Sequence, residues 1–568
     1  MFLEIKENVK GLLKGVVEEP VALDDITDSS IADFSSMIAF KIAKERKKDP
    51  ESIANELVRR IKPKGFIKEV KAEKGYINFF LDYSKLIIPV LKEVGSKRES
   101  YGKLKTKNRK IILEHTSINP SGPVHIGRLR NSLIGDSLSR ILKFNGYDVE
   151  THYYVNDVGK QIAIIAQGFK EGIKQDEAII KGYEGYKDKK DFKVFFEYVV
   201  ANKKFESDPD FAERVQKLIW LAENGDEQAL NEIAKVAKKC LEGQREIFEG
   251  LGINFDFFDF ESEYIKENKV KSVLDFLKKS KYAEIAEKGF GLNLKDFGLE
   301  RRKGLSTLAR SDGTSVYLAR DIAYHLEKSN RGNRMINVLG EDHKFEFREL
   351  KTILTEIYKL KIPLDVVHYS FVNFEGGELS TRKGLIAPVD RLIDEAVEKA
   401  EREIRKRKIA SKDMAPLIGI GAIKYHILKT TPSKPITFRW KEALSFDGES
   451  APYIQYAYAR CCSILRKSKT KIEIEKIDKN LENDEKRLLL KILKFQEIVD
   501  KSGRELKPNI VANYLYELSS LFSKFYKECP VLSAERTIRD RRLLLVDASR
   551  QVIRNGLFLL GIEAPERM

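Results

Sequence analysis

From residue 126 the apolar positions run Ile126, Leu129, Leu133, Ile134, Leu138, Ile141 and Leu142. Steps of three and four place them on one stripe of a helix. Asn145-Gly146 marks its end. The flanking pattern is different. Residues 111–114 (IILE) form a short, nearly unbroken apolar run, and 147–155 (YDVETHYYV) is a second strand-like stretch. Between the first strand and the helix lies a loop, 116–123, with two prolines and a glycine. Strand, loop, helix and strand make a βαβ unit, which predicts a parallel sheet.

Upstream, residues 1–85 read as a small α+β unit. Asp49-Pro50-Glu51 predicts a helix start, with Asp as cap, Pro in the first turn and Glu at the positive end. Ile53, Leu57 and Ile61 follow at spacing four, and Lys64-Gly65 is expected to end that helix. Residues 69–73 and 76–80 are strand-like runs around Lys74-Gly75. The polar, basic stretch 95–110 reads as a linker.

Downstream of 155 the α/β pattern is interrupted. Charged helical patterning dominates to about 295, so an insertion is expected over about 165–295. Strand signals return at Val316-Tyr317-Leu318 and at 335–339 (MINVL). From about 400 the pattern is helical almost throughout, with apolar faces over 486–500, 509–529 and 543–560. There is no internal repeat and no low-complexity tract.

Length and charge narrow the class. At roughly 150 residues per domain, 568 residues suggest three or four domains. Apolar residues are 42% of the chain, enough for a large core and too many for a disordered protein. No run approaches the roughly 18 apolar residues of a membrane span, and the N-terminus has no basic-then-apolar leader pattern. Lys+Arg exceed Asp+Glu by 103 to 87, a net +16, which favours a polyanionic partner, nucleic acid first. Cys240, Cys461, Cys462 and Cys529 form no CxxC, which argues for a reducing cytosol and against zinc at its usual spacing.

Two segments could carry chemistry. His125-Ile126-Gly127-Arg128 stands where the loop enters the helix. The free N–H groups and dipole of a helix N-terminus favour phosphate, His125 and Arg128 share a face, and Gly127 leaves room for a flat ring. Residues 378–384 (ELSTRKG) follow Gly376-Gly377. There Ser380, Arg382 and Lys383 could close over phosphates and stabilise a leaving pyrophosphate. Alone, each segment also fits an ordinary helix start or a solvated basic turn. Gly419-Ile420-Gly421 is not a phosphate loop, because no strand precedes it.

Together and in order, these segments resemble a known family. Residues 114–136 (EHTSINPSGPVHIGRLRNSLIGD) resemble the nucleotide-binding signature of class I aminoacyl-tRNA synthetases, and more narrowly the arginyl-tRNA synthetases of archaeal type. Further matches lie at 153–162, 310–321, 379–384, 447–456, 547–550 and 554–568. The resemblance spans nearly the whole chain and is faintest over about 165–240. It implies an α/β fold class: a Rossmann-like parallel-sheet catalytic domain at 105–400, a small α+β tRNA-contacting domain at 1–90, and an all-α anticodon-binding domain at 430–568.

The resemblance also implies an activity and its residues. Arginine would be activated with ATP to arginyl-adenylate, releasing pyrophosphate, and passed to the 3′ end of its tRNA, which must be bound before activation. Catalysis would fall to His125, Arg128, Ser380, Arg382 and Lys383. ATP would meet Ser117, His125, Gly127, Arg128 and Ser380. The signature itself is Ile118, Asn119, Pro120, Ser121, Gly122, Pro123, Val124, His125, Ile126, Gly127 and Arg128. Arginine would be held by Glu114, Asn119, Tyr317, Asp321 and Glu341, because carboxylates are the natural partners of a guanidinium. Mg²⁺ would arrive with ATP and no zinc is expected. A monomer in the cytoplasm, with no membrane contact, completes the expectation. For the anticodon stem the candidates are Trp440, Tyr453, Tyr456, Tyr458, Arg536, Arg539, Arg541 and Arg542.

Two departures stand out. Arg128 occupies the place of the signature's second histidine, and Glu378 and Thr381 occupy places usually held by lysines. They leave open a non-catalytic tRNA-binding paralogue as the rival reading. A class I synthetase for another amino acid is the other rival, which Glu114 and Asp321 oppose.

Overall fold

The computed structural model describes residues 1–27, 29, 31–287, 289–301, 304–375, 387–468 and 472–568. Ser380, Arg382 and Lys383, with Glu378 and Thr381, lie outside the described residues.

The centre is a parallel five-stranded sheet of β1 (Lys110–Glu114), β2 (Asp148–Val155), β3 (Phe257–Phe260), β4 (Arg334–Gly340) and β5 (Leu364–Tyr369). The spatial order is β5-β4-β1-β2-β3. Ile111, Ile112 and Leu113 are buried, as a strand covered on both faces requires. The chain steps outward from β1 to β2 to β3, then returns to lay β4 on the other side of β1. Strand order therefore reverses between β1 and β4, where the loops at the carboxyl ends diverge and leave a crevice.

Helix α1 (Ile126–Phe144) makes the β1–β2 crossover, as the pattern predicts. It is buried nearly all round, including Leu129, Leu133, Leu138 and Ile141. One side lies on the sheet. The other meets C-terminal helices: the Ser137 hydroxyl donates to the Leu559 carbonyl at 2.8 Å, and Asn145 Nδ2 to the Val499 carbonyl at 2.8 Å.

After β2 come α2 (Lys160–Glu171), α3 (Lys190–Ser207) and α4 (Glu227–Gly250), then β3. Thus β3, a strand of the main sheet, lies inside the stretch read as an insertion. Its four residues follow a 24-residue helix and run straight into a six-residue one, so periodicity alone gives it no weight. A small antiparallel sheet (Ala283–Ala286, Gly289–Leu292, Ser306–Arg310) precedes α5 (Tyr317–Ser329).

Several local readings need correction. Val316-Tyr317-Leu318 is not a strand. Val316 is extended, but α5 begins at Tyr317, and buried Ala319, Ile322 and Ala323 carry the helical spacing. The helix from Pro50 ends at Arg60, not at Lys64-Gly65. Pro63 disfavours a helical Lys62 and closes it early. The linker read at 95–110 begins inside a helix, Tyr83–Lys97, whose buried Leu86, Ile87, Val90, Leu91 and Val94 outweigh an internal proline. The run 486–500 is two helices, Asn483–Leu493 and Phe495–Glu505, broken at Lys494.

At the N-terminus, Ile67–Glu73 and Tyr76–Leu81 pair antiparallel about the expected turn, inside a four-stranded sheet. The C-terminal region is built from Ala451–Lys467, Asn509–Glu528 and Arg536–Leu559 with the two shorter helices. There the arginine cluster divides. Arg541 and Arg542 are 1% and 5% exposed and both grip buried Glu485, with Arg542 also on Glu482. Tyr458 is buried as well. These three are packing groups, whereas Arg536 is exposed.

Candidate active site

The crevice at the strand reversal is lined by the loop between β1 and α1. Its entry is strained. Thr116 has φ +68°, a left-handed conformation that a β-branched residue avoids. Its N–H donates to Asn131 Oδ1 at 3.1 Å and its hydroxyl to Ser132 Oγ at 2.8 Å, so α1 holds the bend. His115 packs flat on the same helix. A Cβ on Gly135 would fall 2.0 Å from the His115 ring, so this contact needs glycine. Burial pushes the His115 imidazole down to about 3, which keeps it neutral.

His125 caps α1. Its Nδ1 accepts from the Gly127 N–H at 2.9 Å, which leaves the proton of the neutral ring on Nε2. Burial, then the Arg128 charge, lowers its pKa. Arg128 is exposed on the first turn. Ser117, Ile118, Asn119, Ser121, Gly122, Pro123, His125 and Arg128 line a cavity of about 230 Å³, joined by Gln161 of α2. Asn119 Nδ2 donates to Gln161 Oε1 at 2.9 Å. The chain comes back to this loop after residue 386: Ile126 N–H donates to the Ala387 carbonyl at 3.1 Å and Val389 N–H to that of Val124 at 2.8 Å.

A second cluster sits deeper, at the ends of β1, β3 and β4. Glu114 closes β1 and is buried. One of its oxygens accepts from Lys328 of α5, and from Asn337 of β4 at 2.7 Å. Asp321, in the second turn of α5, is half-buried. Burial, then the charges of Glu114 and Glu261, raise its carboxyl to about 7. Glu261 directly follows β3 and is fully buried. Burial pushes it to about 7 against the pull of Arg320. Arg320 lies between Glu261, at 3.1 Å, and Glu223, at 3.0 Å. Asp157 anchors the next residue, accepting from the Ser262 N–H and hydroxyl at 2.9 and 2.6 Å. Tyr154 stacks on Tyr324 with ring centres 4.6 Å apart. Here Glu114 pairs with Lys328, Glu261 and Glu223 share Arg320, and Arg310 lies 3.6 Å from Glu223, while Asp321 and Asp157 add two further carboxyls. A cluster with that imbalance suits a cation.

The sequence-derived residues thus fall into places. Glu114 and Asp321 share the acidic cluster, and Ser117, Ile118, Asn119, Ser121, Gly122, Pro123, His125 and Arg128 form the cavity wall, whereas Pro120, Val124, Ile126 and Gly127 do not line it. Tyr317 stands on the first turn of α5, 62% exposed, with the Arg320 guanidinium 5.8 Å from its ring centre. Glu341 is set apart from the acidic cluster. It accepts from the Ser370 hydroxyl at 2.6 Å and has Lys344 at 3.5 Å, and the Ser370 bond holds its carboxyl below the ordinary value. Sequence reasoning missed Glu261, Tyr154, Lys328, Asn337 and Gln161. Tyr154 and Gln161 lie in the stretch 153–162 that resembles the family without being singled out, and Glu261 left a signal as an acid directly after an aromatic run.

Comparison with known proteins assigns this architecture. The family described as "tRNA synthetases class I (R), catalytic domain" matches residues 90–440. "Arginyl tRNA synthetase N terminal domain" matches 3–81, and "DALR anticodon binding domain" matches 454–568. The arginine–tRNA ligase of Methanocaldococcus jannaschii is 40% identical over 585 residues, covering all of both chains. That of Methanocella arvoryzae is 37% identical, again over all of both chains. Among solved structures, the Thermus thermophilus arginyl-tRNA synthetase superposes with a TM-score of 0.82 at 26% identity, covering all of both chains. One from Plasmodium falciparum, at 20% identity, shares the fold with a TM-score of 0.77 over 99% of each.

Proposed function

The chain belongs to the arginyl-tRNA synthetases and joins arginine to tRNA, and on that premise we propose how its own residues divide the work. The arginine guanidinium enters the acidic cluster between Asp321 and Glu261, with Tyr154 and Tyr317 as its aromatic walls. Glu114 and Asn119 hold the α-amino end. The observation that carries this reading is the charge imbalance of the cluster. Burial, with the charges of Glu114 and Glu261, raises Asp321 to about 7, and burial, with Asp157, raises Glu261 to about 7; a substrate cation relieves both.

ATP occupies the cavity beside the signature loop. Its phosphates lie at the N-terminus of α1, where free N–H groups and the dipole favour negative charge. The neutral His125 ring donates from Nε2, and Arg128 supplies a permanent charge where a second histidine usually stands. Ser380, Arg382 and Lys383 complete the phosphate side. Mg²⁺ comes with ATP, carried on its phosphate oxygens. The arginine carboxylate then attacks the α-phosphate, pyrophosphate leaves, and the adenylate is passed to the terminal ribose of the tRNA. Positioning and charge stabilisation do this work, and no protein nucleophile is needed. The described residues contain no helix long and apolar enough to cross a membrane. The free, buried cysteines suit a cytoplasmic enzyme, here taken to act as a monomer.

The test is arginine-dependent exchange of labelled pyrophosphate into ATP, with and without tRNA, beside His125→Ala. Exchange that needs arginine and tRNA and is lost in His125→Ala supports the assignment. Exchange driven by another amino acid overturns the pocket assignment. No exchange with tRNA binding intact points to a binding protein.

A further inference from the structure

The loop that forms the nucleotide cavity has no regular structure between β1 and α1, and its carbonyls need partners. Two of them, those of Asn119 and Gly122, meet one side chain outside the loop, although Asn119 also accepts from the Ser121 N–H at 2.8 Å. Gln244 of α4 is fully buried. Its Nε2 donates to the Gly122 carbonyl at 2.7 Å and, more weakly, to that of Asn119 at 3.4 Å. Its Oε1 accepts from the Tyr153 hydroxyl at 3.0 Å, and that hydroxyl also lies 3.3 Å from the Ile118 carbonyl. One turn earlier on α4, Cys240 Sγ is 3.4 Å from the Gly122 carbonyl. From α3, Phe195 lies 3.0 Å from where a Cβ on Gly122 would stand.

We infer that Gln244, with Tyr153, is a positioning residue for ATP: it sets the shape of the loop 118–122 from the inserted helix α4. The chemistry requires an amide. One end must donate to carbonyls while the other accepts from a phenol, and the amide is fully buried. A carboxylate at 244 sets a charge against the Gly122 and Asn119 carbonyls. A thioether of similar length fills the space but makes neither bond. Because Ile118, Asn119 and Gly122 line the cavity directly, a shift of their backbone is a shift of the cavity wall. A misplaced wall is felt in the ground state and in the transition state alike. Residues of α4 that never touch ATP thereby enter its recognition.

This inference rests on the assignment of the cavity to ATP, and the experiment separates the two. Full-length Gln244→Met, Gln244→Glu and Tyr153→Phe are compared with wild type in tRNA-supported pyrophosphate exchange. ATP binding is measured on the same proteins by equilibrium dialysis. Gln244→Met is expected to raise the KM for ATP about tenfold or more, as loss of buried hydrogen bonds does. Its KM for arginine rises less, through Asn119, and its melting temperature falls by a few degrees with the lost buried hydrogen bonds. Tyr153→Phe gives a smaller rise in the same constant, and adding it to Gln244→Met costs less than the sum of the two. Wild-type ATP constants in both Gln244→Met and Tyr153→Phe overturn the inference. So do equal rises in the ATP and arginine constants, which mark general loosening. A wild-type chain that binds ATP without arginine-dependent exchange sinks the functional reading alone, because dialysis still reads the loop.

Discussion

Lys328 reaches from the last turn of α5 to the carboxylate of Glu114 at the end of β1, and takes the same oxygen that Asn337 bonds at 2.7 Å. Both ends of this ion pair are buried. The other oxygen of Glu114 is not used by either partner, so the pair fixes the carboxylate while leaving it an open acceptor site.

Lys328→Met leaves a buried carboxylate unpaired, a change that costs about 3–5 kcal/mol. A clear drop in melting temperature is expected. Lys328→Met/Glu114→Gln removes both charges and is expected to recover most of that stability, while its KM for arginine stays high. Equal melting temperatures for the single and double variants would show that Lys328 is not held there by Glu114.

Asp321→Asn removes one carboxylate of the acidic cluster. A hydrogen bond to a charged group is worth about 1.5–3 kcal/mol, so the KM for arginine is expected to rise roughly 10- to 150-fold, with that for ATP little changed. Steady-state pyrophosphate exchange reads both constants.

The same cluster sets a pH dependence. Asp321 and Glu261 lose their protons near pH 7 in the folded chain, well above the ordinary carboxylate range. Between the unfolded values and pH 7 the folded state binds more protons, so their contribution to stability falls as pH rises through that window. Arginine binding has the opposite trend. Its KM is expected to fall as pH rises from 6 to 8, and binding near pH 7 releases protons. Calorimetry in two buffers of different ionisation enthalpy measures that release, and none at all would remove these carboxyls from the arginine pocket.

Gly135→Ala pushes a methyl into the His115 ring, from which the added carbon would stand 2.0 Å. Overpacking of this kind costs about 1–3 kcal/mol or more. The variant is expected to melt lower, and Gly135→Ala/His115→Ala to melt higher than the single variant. A thermal melt of all three proteins decides it.

Arg541→Met breaks the grip on buried Glu485. Its expected signature is lost stability with tRNA affinity unchanged in the folded fraction. Exposed Arg536→Ala is expected to do the reverse. Melting curves beside filter binding at several salt concentrations separate the two behaviours.

What the sequence made legible was local. The turn from β1 into α1, the cap at His125 and the apolar stripe behind it all depend on neighbours within a few positions. Glu261 depended on a strand of four residues pairing with β2 across about a hundred residues of helix, which no window of the sequence holds. Arg541 and Arg542 looked like a basic surface because their acid, Glu485, lies more than fifty positions upstream. Val316-Tyr317-Leu318 has the composition of a strand, yet the apolar positions after it are spaced for a helix, and packing settled the matter.

Helix α1 has one side on the parallel sheet and the other against the C-terminal helices, tied by Ser137 to Leu559 and by Asn145 to Val499. A catalytic piece cut free near residue 440 would therefore carry a raw apolar seam along α1, the helix proposed to receive the triphosphate. In this chain the part that reads the tRNA and the part that burns the ATP are not separable lodgers but halves of one wall, and neither can be pared away, grafted or exchanged without opening the other.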